Sequence, residues 1–102
     1  MNSHTYSKGE IIELTKPIFS RYAITRADIF GSYAQDTATP DSDIDFVVEF
    51  SNVPSLFLLG QLKEDLELTL NKQCDLVTRC SLQNDASEIA RNIERSLSIV
   101  YS

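Results

Sequence analysis

The run Ile44-Asp45-Phe46-Val47-Val48-Glu49-Phe50 constrains the fold more than any other segment of the chain. A strand turns alternate side chains to opposite faces, so Phe46 and Val48 lie on one side and Val47 on the other. Apolar groups on both faces belong in a strand in the middle of a sheet that is covered on each side. The rest of the chain must supply that cover. Its 102 residues, 42% of them hydrophobic, suffice for one core, so a single domain over residues 1–102 is expected.

Ser7-Lys8-Gly9-Glu10 reads as a capping box that opens a helix through Ile11, Leu14, Ile18 and Tyr22, with Ile12 and Phe19 widening the apolar stripe. Pro17 is expected to kink that helix or split it near Lys16. Ile24 to Phe30 reads as a strand that stops at Gly31-Ser32, Tyr33 to Asp36 as one helical turn, and Thr37 to Ser42 as a loop. Leu58, Leu59, Leu62, Leu66 and Leu70 predict a helix over Leu56 to Leu70, and Cys74 to Thr78 predicts a third strand. Asp85-Ala86-Ser87-Glu88 reads as a second capping box, opening a helix through Ile89, Ile93 and Leu97. The order α-β-β-α-β-α predicts an α+β fold, a two-layer α/β sandwich in which helices pack against a small mixed sheet.

Charge and composition exclude several functions. A net charge of −6, from 15 acidic and 9 basic side chains, repels a phosphate backbone, so no long nucleic acid is expected as substrate. The polar stretch Met1 to Lys8 lacks the apolar run of a signal peptide, and no segment approaches the roughly 18 apolar residues of a membrane span. A cytoplasmic protein is expected. Cys74 and Cys80 match no common zinc spacing and read as reduced thiols, with Cys74 buried. His4 is the only histidine and lies near the N-terminus, so Ser-His or Cys-His catalysis has little to build on. Any chemistry rests on carboxylates.

Asp43 and Asp45, at i and i+2 of a strand, present two carboxylates side by side while Ile44 points the other way. Such a pair repels itself unless a cation sits between, and magnesium takes one or two protein carboxylates and completes its shell with water and phosphate oxygens. Gly31 ends a strand where the backbone must approach something closely, and Ser32 opens a turn whose N–H groups favour phosphate oxygens. Asp75 is a lone charge in an apolar strand, costly to bury without a partner. It stands beside the pair if the third strand neighbours the second; a salt bridge with Arg79 or a backbone cap would also satisfy it. Taken singly, the Gly-Ser step reads as turn punctuation and the aspartates as solvated turn residues, but one metal-nucleotide site accounts for all of them.

Phe30-Gly31-Ser32-Tyr33-Ala34, followed by Thr39-Pro40-Asp41-Ser42-Asp43-Ile44-Asp45-Phe46-Val47-Val48-Glu49-Phe50, resembles the G-S…D-x-D signature of the DNA polymerase beta nucleotidyltransferase superfamily. Within it the match is to the minimal nucleotidyltransferases, the MNT-domain proteins, and it covers nearly the whole chain, including Cys74 to Thr78 and a C-terminal helix ending near Tyr101. The resemblance implies an antitoxin encoded beside a HEPN-domain RNase toxin, transferring AMP from ATP to a tyrosine of that toxin. It further implies that Asp43 and Asp45 hold Mg2+, that Asp75 helps to bind a second ion and accepts the proton of the attacking hydroxyl, and that Gly31 and Ser32 bind the outer phosphates. Where many relatives have Arg-Gly after the Ser-x-Ala, this chain has Gln35-Asp36, which implies weaker nucleotide affinity or a different preferred nucleotide. A rival reading is an antitoxin that neutralises its toxin by occlusion without catalysis. Transfer to a small molecule ranks last, because 102 residues leave no room for an added substrate domain.

Overall fold

Ser7 caps the first helix by accepting a hydrogen bond from the Glu10 N–H while Glu10 accepts one from the Ser7 N–H, the two halves of a capping box. The computed structural model describes residues 4–102, so the first residues of the polar N-terminal segment lie outside it. Helix α1 spans Lys8–Arg21 and buries Ile11, Thr15, Ile18 and Phe19. It runs through Pro17 without a break, contrary to the expected split near Lys16. Pro17 faces solvent, so the carbonyl that loses its helical donor is left where water can serve it.

Strand β1 (Ile24–Phe30) pairs antiparallel with β2 (Ile44–Phe50), and β2 pairs in parallel with β3 (Cys74–Thr78). Between β2 and β3 runs α2 (Leu56–Leu70), capped by Ser55 and burying Leu62, Leu66 and Leu70 at helical spacing. A parallel pair needs such a crossover. After β3 the chain makes α3 (Arg79–Gln83) and α4 (Glu88–Arg95), then returns as β4 (Ser98–Tyr101), antiparallel to β1. The sheet order is β3-β2-β1-β4.

Two apolar clusters explain the doubly apolar β2. Ile44, Phe46 and Val48 pack with α1 and α2 in the larger core, while Val47 packs on the opposite face with Leu82 and Ala90. The predicted α+β fold with a small mixed sheet is observed. Three local expectations are corrected. The last helix ends at Arg95, and the residues near Tyr101 form a strand, because Val100 enters the main core beside β1. The N-cap of α4 is Ser87, which receives the Ala90 N–H, whereas Asp85 accepts from the Ser87 N–H one turn earlier. Its inward residue is Ala90, and Ile89 is 73% exposed. The short α3 carried no distinct apolar period.

Candidate active site

The end of β1 and the beginnings of β2 and β3 meet at one end of the sheet. In the strand register Asp45 is opposite Phe30 on one side and Asp75 on the other. The neighbouring positions Ile44 and Cys74 are also paired, and both turn into the core. Alternation therefore turns Asp45 and Asp75 to the opposite face, the one covered in part by α3 and α4. The third strand does lie next to the second, and that parallel register is what makes the two carboxylates neighbours.

Asp45 is half-buried, and its pKa is raised to about 6, first by burial, then by the hydrogen-bonding contact with the Asp75 carboxyl and the negative charges of Asp75 and Asp43. Asp75 is exposed at the sheet edge, so the expected cost of burying it does not arise. Arg79 does not serve it either: the guanidinium pairs with Asp28 at 2.9 Å. Burial pushes the Cys74 thiol up to about 12, with Glu67 and the three aspartates adding to the effect.

Asp43 is exposed and immediately precedes β2. Its loop is tied down on both sides. The Thr39 N–H donates to Ser42 Oγ at 2.9 Å, the Ser42 N–H to the Thr39 carbonyl at 3.0 Å, Lys72 Nζ to the Pro40 carbonyl at 2.7 Å, and the Ile44 N–H to the Gln73 carbonyl at 3.1 Å. The segment before β3 thus holds the segment before β2.

Gly31 closes the site from the β1 side. Its φ is +71°, and a Cβ added there would stand 2.8 Å from Asp45 Oδ2. Glycine alone meets both requirements. The turn after it is built by Ala34 and Gln35 N–H groups donating to the Gly31 carbonyl, both at 3.1 Å. Ser32 is half-buried within this turn, and Tyr33 is driven into the core behind it. Asp36 takes φ +60°, a conformation that favours glycine, and its carboxylate lies 3.7 Å from Lys8 Nζ.

The carboxylates suit a hard cation. All the donors are oxygens, the set that magnesium selects, and the upward shift of Asp45, caused first by burial and then by Asp75 and Asp43, is one that a bound cation would oppose. Among the described residues no three carboxylate, histidine or cysteine side chains are already gathered as an ion would require. Asp45 and Asp75 are adjacent, and the exposed Asp43 side chain must turn toward them for a third ligand.

Sequence reasoning missed a second charged cluster behind the site. Asp28 is fully buried, two positions before Phe30 on β1, and receives Arg26 Nε at 2.8 Å, Arg26 Nη2 at 3.1 Å and Arg79 Nη2 at 2.9 Å. The signal was the same as for Asp75, a carboxylate inside an apolar strand. Here the partners are arginines, so Asp28 is a structural ion pair that anchors the start of α3 to β1. His4 lies 3.3 Å from Glu10 and edge-on to Tyr6.

The nucleotidyltransferase domain model matches residues 10–100. The chain is 37% identical over 86 residues to the protein adenylyltransferase MntA of Thermococcus cleftensis, covering 84% of this chain and 82% of that protein. A solved structure provisionally named a minimal nucleotidyltransferase superposes with a TM-score of 0.71 at 25% identity, over 91% of this chain and 95% of that one. Another, of tri-AMPylated Shewanella oneidensis HEPN toxin in complex with MNT antitoxin, gives a TM-score of 0.69 at 14% identity over 93% and 72% of the respective chains, a likeness of fold.

Proposed function

The chain belongs to the nucleotidyltransferase domain family, and from that membership we propose that it is an antitoxin that transfers AMP from ATP to a tyrosine hydroxyl of a cognate HEPN RNase toxin, thereby neutralising it. The observation that carries the reading is the placement of Asp45 beside Asp75 on adjacent parallel strands, with the Gly31 turn against Asp45. The name of the Thermococcus relative supports AMP transfer to protein, and the AMPylated HEPN complex of similar fold supports the partner. The family match across residues 10–100 supports a single catalytic domain. ATP as donor and free thiols fit a cytoplasmic setting, and among the described residues no helix is long and apolar enough to cross a membrane.

Asp43, Asp45 and Asp75 would hold magnesium, two ions in all, which supplies charge neutralisation for the triphosphate and polarises the α-phosphoryl group. The protein's own groups do the positioning. Gly31 lets the backbone turn against Asp45, and the Ser32 hydroxyl beside it offers a donor to the outer phosphates. Asp75, exposed at the sheet edge, takes the proton of the incoming tyrosine hydroxyl. The phenolic oxygen bonds to the α-phosphorus, the bond to the bridging oxygen breaks, and pyrophosphate leaves with that electron pair.

The test is to incubate the purified protein with radiolabelled ATP, magnesium and the HEPN protein encoded beside it. Label on a toxin tyrosine, absent with the Asp43→Ala/Asp45→Ala form, is the expected result. Equal neutralisation of the toxin by that double variant, with no label transferred by the wild type, would establish occlusion instead.

A further inference from the structure

On the far side of Asp45 from Asp75 lies a depression of about 710 Å3 whose lining includes Lys8, Gln35, Asn92, Arg95 and Ser98. Ser98 pairs with Ile29, two residues before Gly31, and Gln35 belongs to the turn built on the Gly31 carbonyl. The depression therefore adjoins the Gly31-Ser32 turn on the β4 side of the sheet. Sheet order β3-β2-β1-β4 places Asp75 on one flank of Asp45 and this depression on the other.

Cations are scarce in this chain, with 9 lysines and arginines against 15 acids. Two of them, Lys8 and Arg95, line this depression, and two more, Lys63 and Lys72, line the depression that includes Asp75. Lys8 is the first residue of α1, where the helix dipole is positive, and its ammonium is within 3.7 Å of the Asp36 carboxylate. Arg95, in the last turn of α4, is exposed and makes no ion pair among the described residues. Gln35, on the turn itself, is neutral.

In-line transfer puts the attacking oxygen and the leaving pyrophosphate on opposite sides of the α-phosphorus. With the acceptor at Asp75, on the β3 flank, the leaving group points toward β1 and β4. From this we propose that Arg95 and Lys8 are the residues that bind the terminal phosphates of the nucleotide, supplying from α4 and α1 the positive charge that Gln35 lacks. This rests on the nucleotidyl-transfer reading given above. Arg95 presents a planar set of donors to phosphate oxygens, and Lys8 exchanges the Asp36 carboxylate for a phosphate. The depression thereby selects a triphosphate over a monophosphate.

The experiment is calorimetric titration of the purified chain with ATP and with AMP, both with magnesium, for the wild type, Arg95→Ala, Lys8→Ala, Arg95→Lys and Lys63→Ala. Lys63 lies on α2 beside the Asp75 flank and serves as the control cation. Arg95→Ala and Lys8→Ala are each expected to weaken ATP about tenfold while AMP changes less than about twofold; Arg95→Lys recovers part of the loss and Lys63→Ala leaves ATP unchanged. Thermal melts confirm that the variants are folded, which the exposure of Arg95 favours. ATP binding by both alanine variants at wild-type strength, or an equal loss for ATP and AMP, would overturn the proposal. The transfer reading fails separately, through absence of label on the toxin. A wild-type chain that binds no ATP would sink both.

Discussion

Gly31 and Asp45 are packed so closely that a methyl group on the one would press 2.8 Å from Oδ2 of the other. The turn that carries Ser32 and the carboxylate that would hold metal are therefore set by a single contact. Gly31→Ala is expected to cost about 1–3 kcal/mol of stability, from the left-handed backbone and the displaced carboxylate together, and to reduce transfer by more than tenfold. Gly60→Ala, in the interior of α2 with nothing within 4 Å of the added Cβ, is expected to stabilise the protein by about 0.5–1 kcal/mol with transfer unchanged. Denaturant melts and transfer rates of the two variants check the contrast; a Gly31→Ala enzyme with normal rates would show that the contact does not set the site.

Asp45 predicts a pH dependence for the metal-free protein. Its carboxyl titrates at about 6 when folded and near its ordinary value of 3.8 when unfolded, so the folded state holds the extra proton between those values. Stability is then highest below about pH 4 as far as this group is concerned, falls as pH rises through 6, and stays reduced above it. Allowing for partial solvent screening, the loss is on the order of 1–2 kcal/mol. Asp45→Asn should abolish that slope and raise the melting temperature at pH 7.5 without magnesium, while eliminating transfer. Magnesium should raise the melting temperature of the wild type and leave Asp45→Asn nearly unaffected. A wild-type profile that is flat between pH 4 and 7 would contradict the crowding of Asp45 against Asp75.

The Asp28 cluster predicts a loss of stability of a different origin. Asp28→Ala leaves Arg79, only 15% exposed, facing a cavity without its counter-charge, and should cost about 3–5 kcal/mol. The double change Asp28→Leu/Arg79→Met should recover a large part of that, because both buried charges then disappear together. Urea unfolding of the single and double variants measures the coupling. Additive losses would show that the pair is not a unit.

Cys74 and Cys80 should differ sharply toward thiol reagents. Cys80 is exposed, whereas Cys74 is buried with its thiol pushed up to about 12 by burial and by the acids around it. At pH 8 a disulfide-exchange reagent is expected to titrate one thiol rapidly in the folded protein and the second only on unfolding. Rapid modification of both would mean that the strand carrying Asp75 opens readily.

The elements were legible in the sequence wherever a local rule was sufficient. The Ser7-to-Glu10 capping box, the leucine spacing of α2 and the short strands Ile24–Phe30, Ile44–Phe50 and Cys74–Thr78 all follow from side-chain periodicity and caps, which act within a few residues. Asp43 and Asp45 were visible for the same reason, as a spacing of two at the opening of a strand. Tertiary structure alone decided which strands are neighbours. The β2–β3 register brings Asp75 to Asp45 across 29 intervening residues, Val100 turns the C-terminus into β4, and Arg79 passes over Asp75 to reach Asp28, 51 positions away. Such pairings are chosen by burial and charge satisfaction summed over the whole core, a sum to which no single segment of sequence holds all the terms.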